Sequence, residues 1–257
     1  MRFSRLFLRV SNALITFIVV MLFSIAGIYS VYALWDNQHI YAEAKNVQDD
    51  MIDLKPEIDS AKDRLASFQK LLAINKDVCA WITLDGTHID YPVVHGETNL
   101  TYINTDVYGD FSLAGSIYED SRCDEHFTDK YSLLYGHHMA QHNMFGDLDL
   151  YKEEKFFKEN KTGTLILPDR GYDLKIYAYL LESASEDMIY ERVQRNADIN
   201  SLHNYVEKHA IYIHKDTFEE AKNNEDKQIL ALTTCSSEFT NARTIVLAVM
   251  EEHKSAE

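Results

Sequence analysis

Between Val10 and Trp35 lie 26 consecutive residues without a charge, with Phe17-Ile18-Val19-Val20-Met21-Leu22-Phe23 at their centre. Wound as a helix, such a stretch crosses the ~30 Å hydrocarbon core of a bilayer with room to tilt. Arg2, Arg5 and Arg9 precede it, whereas Asp36, Glu43, Asp49 and Asp50 follow. The positive-inside rule then makes residues 1–12 a cytoplasmic tail and residues 13–35 a transmembrane anchor, with the rest of the chain outside the cell. A cleaved signal peptide is the competing reading, resting on the small-residue site Val31-Tyr32-Ala33. The apolar run far exceeds the ~7–15 residues of such signals, so a retained anchor is expected. A buried core helix fits poorly, because Ser11, Asn12, Thr16, Ser24 and Ser30 do not gather on one face.

The remainder reads as folded protein. At 46% hydrophobic residues and with only nine Gly and three Pro in the chain, disorder and low-complexity linkers are excluded. The net charge is −16, and three of the 25 basic residues precede the first acidic one, so the outer part is more acidic still. Such a surface repels phosphate backbones and excludes nucleic acid as a partner. Three cysteines, Cys79, Cys123 and Cys235, cannot all pair within one chain, which excludes a disulfide framework.

Residues 36–75 form a helical juxtamembrane segment by composition, rich in Ala, Lys, Glu, Gln and Leu. A helix is expected over Asn37–Leu54 and a second from Pro56, at its first position, to Ile74. Ile58, Leu65, Phe68, Leu71 and Leu72 make one short stripe, which suits packing on the next domain better than a coiled coil. Residues 76–257 change to short β-rich runs. Strands are expected at 80–84, 89–94, 115–118, 132–135, 164–167, 172–181, 229–234 and 244–250, the first two joined at Asp85-Gly86. Eight short strands imply a barrel or sandwich. Short helices are expected at Phe145–Leu150 and Lys152–Lys158, and a longer one at Asp198–Lys208.

The last two strands hold the most informative residues. Ile229-Leu230-Ala231-Leu232-Thr233-Thr234-Cys235 ends an apolar strand on a thiol, and Arg243 opens the next strand. A thiol leaving the core at a strand end faces a groove, and an arginine returning to that rim lowers its pKa or donates to an oxyanion. Cys79 and Cys123 read as small buried hydrophobes. Thiolate chemistry also needs a proton carrier. Leu134-Tyr135-Gly136-His137-His138-Met139 places two imidazoles just past a strand end, where the glycine is expected to permit a sharp turn. The residues alone leave His137 and His138 equivalent. A metal site from His137, His138 and His142 lacks any accompanying H-E-x-x-H or C-x-x-C, and no metal is expected.

With these residues in view, the chain resembles the sortases, and class B among them, through nearly all of residues 76–257. Leu232-Thr233-Thr234-Cys235 resembles the family's T-L-x-T-C signature, with Ala231 where the first Thr is usual. Arg243 matches the family's arginine. Tyr135-Gly136-His137-His138-Met139 resembles Y-G-H-N-M, which selects His137 as the catalytic histidine and puts His138 at the usual Asn. Ala80-Trp81-Ile82, Ile89-Asp90-Tyr91-Pro92-Val93, Ala114-Gly115-Ser116-Ile117-Tyr118 and Met144-Phe145-Gly146-Asp147-Leu148 extend the likeness in order. Papain-like proteases and L,D-transpeptidases fit worse, since neither C-G-[SA]-C-[WY] nor S-H-G-C occurs.

The resemblance implies a mainly β fold, an eight-stranded sortase barrel with N-terminal helices and an inserted helix before the last two strands, making residues 76–257 the catalytic domain. It implies a membrane-anchored cysteine transpeptidase of a Gram-positive surface, acting on secreted proteins with a C-terminal sorting signal of Asn-Pro-x-Thr-x type. The catalytic set is Cys235, His137 and Arg243, and the substrate-binding set is Asn99, Ile103, Thr233 and Thr234. The amine acceptor is a cell-wall precursor or a pilin lysine, and no cofactor is required. A non-catalytic anchored module that holds peptides or organises a surface complex without cleaving them is the rival from another class.

Overall fold

A computed structural model describes residues 2–191, 199–224, 226–236, 238 and 240–254, with side chains from residue 7 onward. The chain divides into two units, Met1–Glu43 and Ala44–Glu257. The first consists of the greater part of helix α1, Arg2–Ile52. From Phe7 this helix is long and apolar enough to cross a membrane, and none of its apolar window is buried. The separate helix expected from Asn37 is a continuation of α1, because no Gly or Pro falls between Trp35 and Ile52 to break it.

In the second unit α1 ends in a turn, with Leu54 N–H on Met51 O and Lys55 N–H on Ile52 O, just before Pro56, which has no N–H to offer. The next helix, α2, covers Ala61–Ile74 and so does not start at Pro56. Ser60 starts it instead: its backbone is extended and its hydroxyl accepts from Asp63 N–H at 3.2 Å, an N-cap that outweighs proline's preference for the first helical position. The buried face of α2 is narrower than expected. Phe68 and Leu71 are fully covered, whereas Leu65 and Leu72 face solvent.

Nine strands follow: β1 Val78–Leu84, β2 Asp90–His95, β3 Ile117–Glu119, β4 Tyr131–Tyr135, β5 Thr162–Ile166, β6 Gly171–Ser183, β7 Tyr212–Ile213, β8 Gln228–Cys235 and β9 Ala242–Glu252. All eight expected strands are present, and β7 is a two-residue addition. The sheet order is β5-β1-β2-β3-β4-β8-β9-β6-β7, and β5 also pairs with β6, which closes eight strands into a mixed barrel. The pairs β2–β3 and β4–β8 are parallel. A 3₁₀ helix, Gly146–Lys152, and helix α3, Glu154–Glu159, occupy the β4–β5 connection where two short helices were expected. Between β6 and β8 come α4, Asp187–Tyr190, α5, Ile199–His209, and α6, Lys215–Lys222. Of these α5 is the expected insertion, although Asp198 lies outside the described residues.

Strands β8 and β9 are buried on both faces, which explains their unbroken apolar runs. Ile229, Ala231, Ile245, Leu247 and Val249 join Leu202 and Val206 of α5 and Phe218 of α6 in one cluster. A second cluster packs Met51, Phe68 and Leu71 onto Trp81, Val94 and Ile166. The helices thus brace the barrel from outside, and the ends of β4 and β8 stay open to solvent.

Candidate active site

Strand β8 remains in the core up to Thr234, and Cys235, one residue further, is exposed. The antiparallel β8–β9 register sets Cys235 directly opposite Arg243. Parallel pairing of β4 with β8 sets Tyr135 beside Thr233, and Gly136 N–H donates to Thr233 O at 3.3 Å. Because both strands run the same way, His137 leaves the barrel at the same edge as Cys235. Gly136 serves close approach rather than a special backbone angle: a Cβ there would lie 2.5 Å from Ile117 Cδ1 and 2.7 Å from the Phe145 ring.

The His137 ring is tied down. Its Nε2 lies 2.6 Å from Ile103 O. A carbonyl only accepts, so Nε2 carries the proton and Nδ1 is the nitrogen left for other work. The Ile103 carbonyl is itself wedged in place. Ser116 N–H donates to Tyr102 O at 3.1 Å, and Gly115, at φ +61°, packs so closely that a Cβ would sit 2.5 Å from Ile103 O.

Ile103, His137, Thr233, Thr234, Cys235 and Arg243 line one cleft. Its wall is aromatic: Tyr118 stacks on Tyr135 at 5.3 Å between centroids, and Tyr135 on Tyr190 at 6.4 Å. The Tyr190 hydroxyl bonds Thr233 Oγ1 at 3.0 Å. Burial pushes the phenols of Tyr118 and Tyr190 up to about 12, so both remain neutral at physiological pH. Alternation along β8 puts Thr233 on the face of Cys235 and turns Thr234 toward the other face, beside Thr244.

Asn99 sits behind this cleft. Its Nδ2 donates to Asp120 Oδ2 at 3.1 Å and its Oδ1 accepts from Ser121 N–H at 2.7 Å. Asp120 is fully buried and also receives Arg122 through Nε and a terminal nitrogen, each at 2.9 Å, and the Tyr135 hydroxyl at 3.0 Å. Arg122 reaches on to Tyr190 O at 2.5 Å. This hub joins the loop of Asn99, the aromatic wall and the insertion, and sequence reading did not single it out. Tyr118 and Tyr135 lay within quoted motifs, but Tyr190, in a four-residue helix, had no pattern to mark it.

His137, His138 and His142 do not converge. His138 Nε2 lies 2.8 Å from Asp149 Oδ2, a hydrogen bond that raises its pKa, and His142 Nδ1 lies 2.6 Å from Asp147 Oδ1. Cys79 is half-buried, with a thiol that burial pushes up, and Cys123 is buried; neither reaches the cleft. A thiol, an imidazole with one nitrogen fixed and one available, and a guanidinium on a single rim are the parts of nucleophilic acyl transfer.

No family model matches the chain. It is 28% identical over 183 residues to a sortase B of Staphylococcus aureus, covering 70% of this chain and 73% of that protein. It is 27% identical over 227 residues to a sortase B of Listeria monocytogenes, covering 87% and 89%. Among solved structures, a Streptococcus pyogenes class B sortase involved in pilus biogenesis superposes with a TM-score of 0.65 at 36% identity, covering 72% of this chain and 97% of that one.

Proposed function

Since the chain belongs to the class B sortases, a family of cysteine transpeptidases, we propose that Cys235, His137 and Arg243 are its catalytic residues and that it joins sorting-signal proteins to an amine at the cell surface. The observation that carries this reading is the strand register. Two independent pairings support it: β8 with β9 sets Arg243 opposite Cys235, and β4 with β8 leads the chain into His137 at the same edge of the barrel.

In the proposed reaction the Cys235 thiol gives its proton to His137 Nδ1 as its sulfur attacks the scissile carbonyl, giving a tetrahedral oxyanion toward which Arg243 directs charge. Collapse breaks the peptide bond and leaves a thioester. The departing amine takes its proton from His137 Nδ1, while Nε2–H stays on the Ile103 carbonyl and fixes the ring. The incoming amine returns a proton to Nδ1 as it attacks the thioester, and the thiol is regenerated. Thioesters retain enough reactivity toward amines that transfer competes with hydrolysis.

Ile103 and Thr233 receive the signal peptide against the Tyr118–Tyr135–Tyr190 wall, Thr234 shapes the cleft through its backbone, and Asn99 contributes through the loop it holds. The expected signal is of Asn-Pro-x-Thr-x type. A pilin lysine stands beside a cell-wall amine as acceptor because the Streptococcus pyogenes relative is involved in pilus biogenesis. The apolar helix anchors the enzyme through residues 13–35, with residues 1–12 in the cytoplasm and the catalytic domain outside.

Incubating the full-length protein in detergent micelles with a panel of sorting-signal peptides and candidate amines tests this reading. A peptide-sized mass increase on Cys235, discharged by amine, is the expected result. Absence of that adduct with every signal, or an adduct on Cys79 or Cys123 instead, would refute it.

A further inference from the structure

Away from the cleft, His88 in the β1–β2 turn and His142 in the loop after β4 face one carboxylate. Asp147 Oδ2 lies 2.9 Å from His88 Nδ1, and Asp147 Oδ1 lies 2.6 Å from His142 Nδ1. The two rings are 4.7 Å apart. Both imidazoles are open to solvent, at 66% and 57%, whereas the Asp147 side chain is 3% exposed. Among the described residues no lysine or arginine pairs with that carboxylate. The loop that delivers His142 is tight. Gln141 and His142 both hold left-handed backbone, at φ 60° and 63°, inside a bridge between His138 and Met144. Non-glycine residues adopt that conformation only where surrounding contacts enforce it.

We propose that His88, His142 and Asp147 bind one zinc-type divalent transition-metal ion, through Nδ1 of each ring and one carboxylate oxygen, with water in the fourth position. One ligand atom from each of the three residues lies within 4.8 Å of the other two, and both Nδ1 atoms are within 2.9 Å of a carboxylate oxygen. Ligands about 2.0–2.1 Å from a tetrahedral zinc stand roughly 3.3 Å apart, so sub-ångström shifts admit the ion. On binding, each ring moves its proton from Nδ1 to Nε2, and the Nδ1 lone pair replaces an N–H···O bond with a metal bond. Two imidazoles and a carboxylate favour zinc, nickel or cobalt over magnesium or calcium, which require mainly oxygen ligands. The exposed rings supply the entry path. His137 takes no part, since its Nε2 is on Ile103 O.

The ion rivets the β1–β2 turn to the loop that leads out of His137, where Phe145 N–H donates to His137 O at 3.1 Å. Binding and its thermal effect are independent of the catalytic assignment.

The test is titration of the full-length protein in detergent micelles with zinc chloride alone, read by competition with a chromophoric chelator. His88→Ala and His142→Ala are suitable variants because both rings are exposed, and Cys235→Ala controls for binding at the thiol. One ion per chain is expected. Either histidine variant should weaken affinity at least tenfold, Cys235→Ala should not change it, and zinc should raise Tm in the wild type but not in the double histidine variant. Absence of binding at millimolar zinc, unchanged affinity in one or both histidine variants, or loss only with Cys235→Ala would each overturn the site.

Discussion

Gly115→Ala turns the contact beneath His137 into a measurable quantity. The new methyl would begin 2.5 Å from Ile103 O and 2.8 Å from Tyr102 O, whereas ordinary contact begins at 3.4 Å. Relief requires the Ile103 carbonyl to retreat by roughly 1 Å, because the other neighbour is also backbone. That carbonyl accepts the 2.6 Å hydrogen bond from His137 Nε2. The ring must then follow or lose its anchor, and a displacement of ~1 Å at a reacting group costs on the order of 100-fold in rate. Stability falls as well, by about 1–2 kcal/mol for alanine in left-handed backbone and about 1–3 kcal/mol for overpacking. Gly109→Ala separates these contributions. Gly109 holds φ +90° with nothing within 4 Å of a built Cβ, so it suffers the backbone penalty without the collision. Steady-state cleavage of a sorting peptide and thermal denaturation should show Gly115→Ala folded with kcat down about 100-fold, and Gly109→Ala with nearly normal kcat. A folded Gly115→Ala enzyme with full kcat, or equal losses in both variants, would refute the positioning role of the Ile103 carbonyl.

Cys235→Ala should abolish cleavage and leave Tm almost unchanged, since an exposed thiol contributes little burial. His137→Ala should remove activity, while His138→Asn should retain most of it because His138 is engaged with Asp149 rather than with the cleft; peptide cleavage by both variants checks the ranking. Arg243→Lys keeps the charge but loses the planar fork, and kcat/KM should fall by roughly two orders of magnitude, mostly in kcat; near-normal single-turnover acylation would refute the oxyanion role. Burial holds the Glu119 carboxyl at about 7, and its hydrogen bond raises the pKa of His95. Both groups hold protons in the fold that the unfolded chain releases at lower pH, so the pair's contribution to Tm should decline as pH rises from about 5 through 7. Glu119→Gln should flatten that decline.

The barrel was legible where strands are long and apolar, because Ile229–Leu232 and Ile245–Val249 admit no other environment. Strand β7 was not, since two residues carry no periodicity, and neither was α6, which buries only Phe218 and Ala221. The start of α2 was misplaced because Pro56 and Ser60 are both helix-start signals and only their surroundings decide between them. Cys235 and Arg243 could be read from chain position, but the choice of His137 over His138 came from a motif. What distinguishes the His137 ring in the fold is its hydrogen bond to the Ile103 carbonyl, supplied by a loop more than thirty residues upstream. The Asp120 hub was illegible for a related reason: Arg122 is only two residues away, but Asn99 and Tyr135 reach the carboxylate from other segments once β2, β3 and β4 pair.

The parallel pairing of β4 with β8 also has a kinetic side. All of β5, β6, β7 and the intervening helices lie between these two strands in the chain, so their junction is a contact of high sequence separation. Such contacts pay a large loop-closure entropy and form late relative to local hairpins like β1–β2. An emerging chain therefore carries the Cys235 thiol without the His137 imidazole beside it until the barrel closes. Under the proposed catalytic assignment, reactivity toward peptide bonds arrives only once that junction has closed.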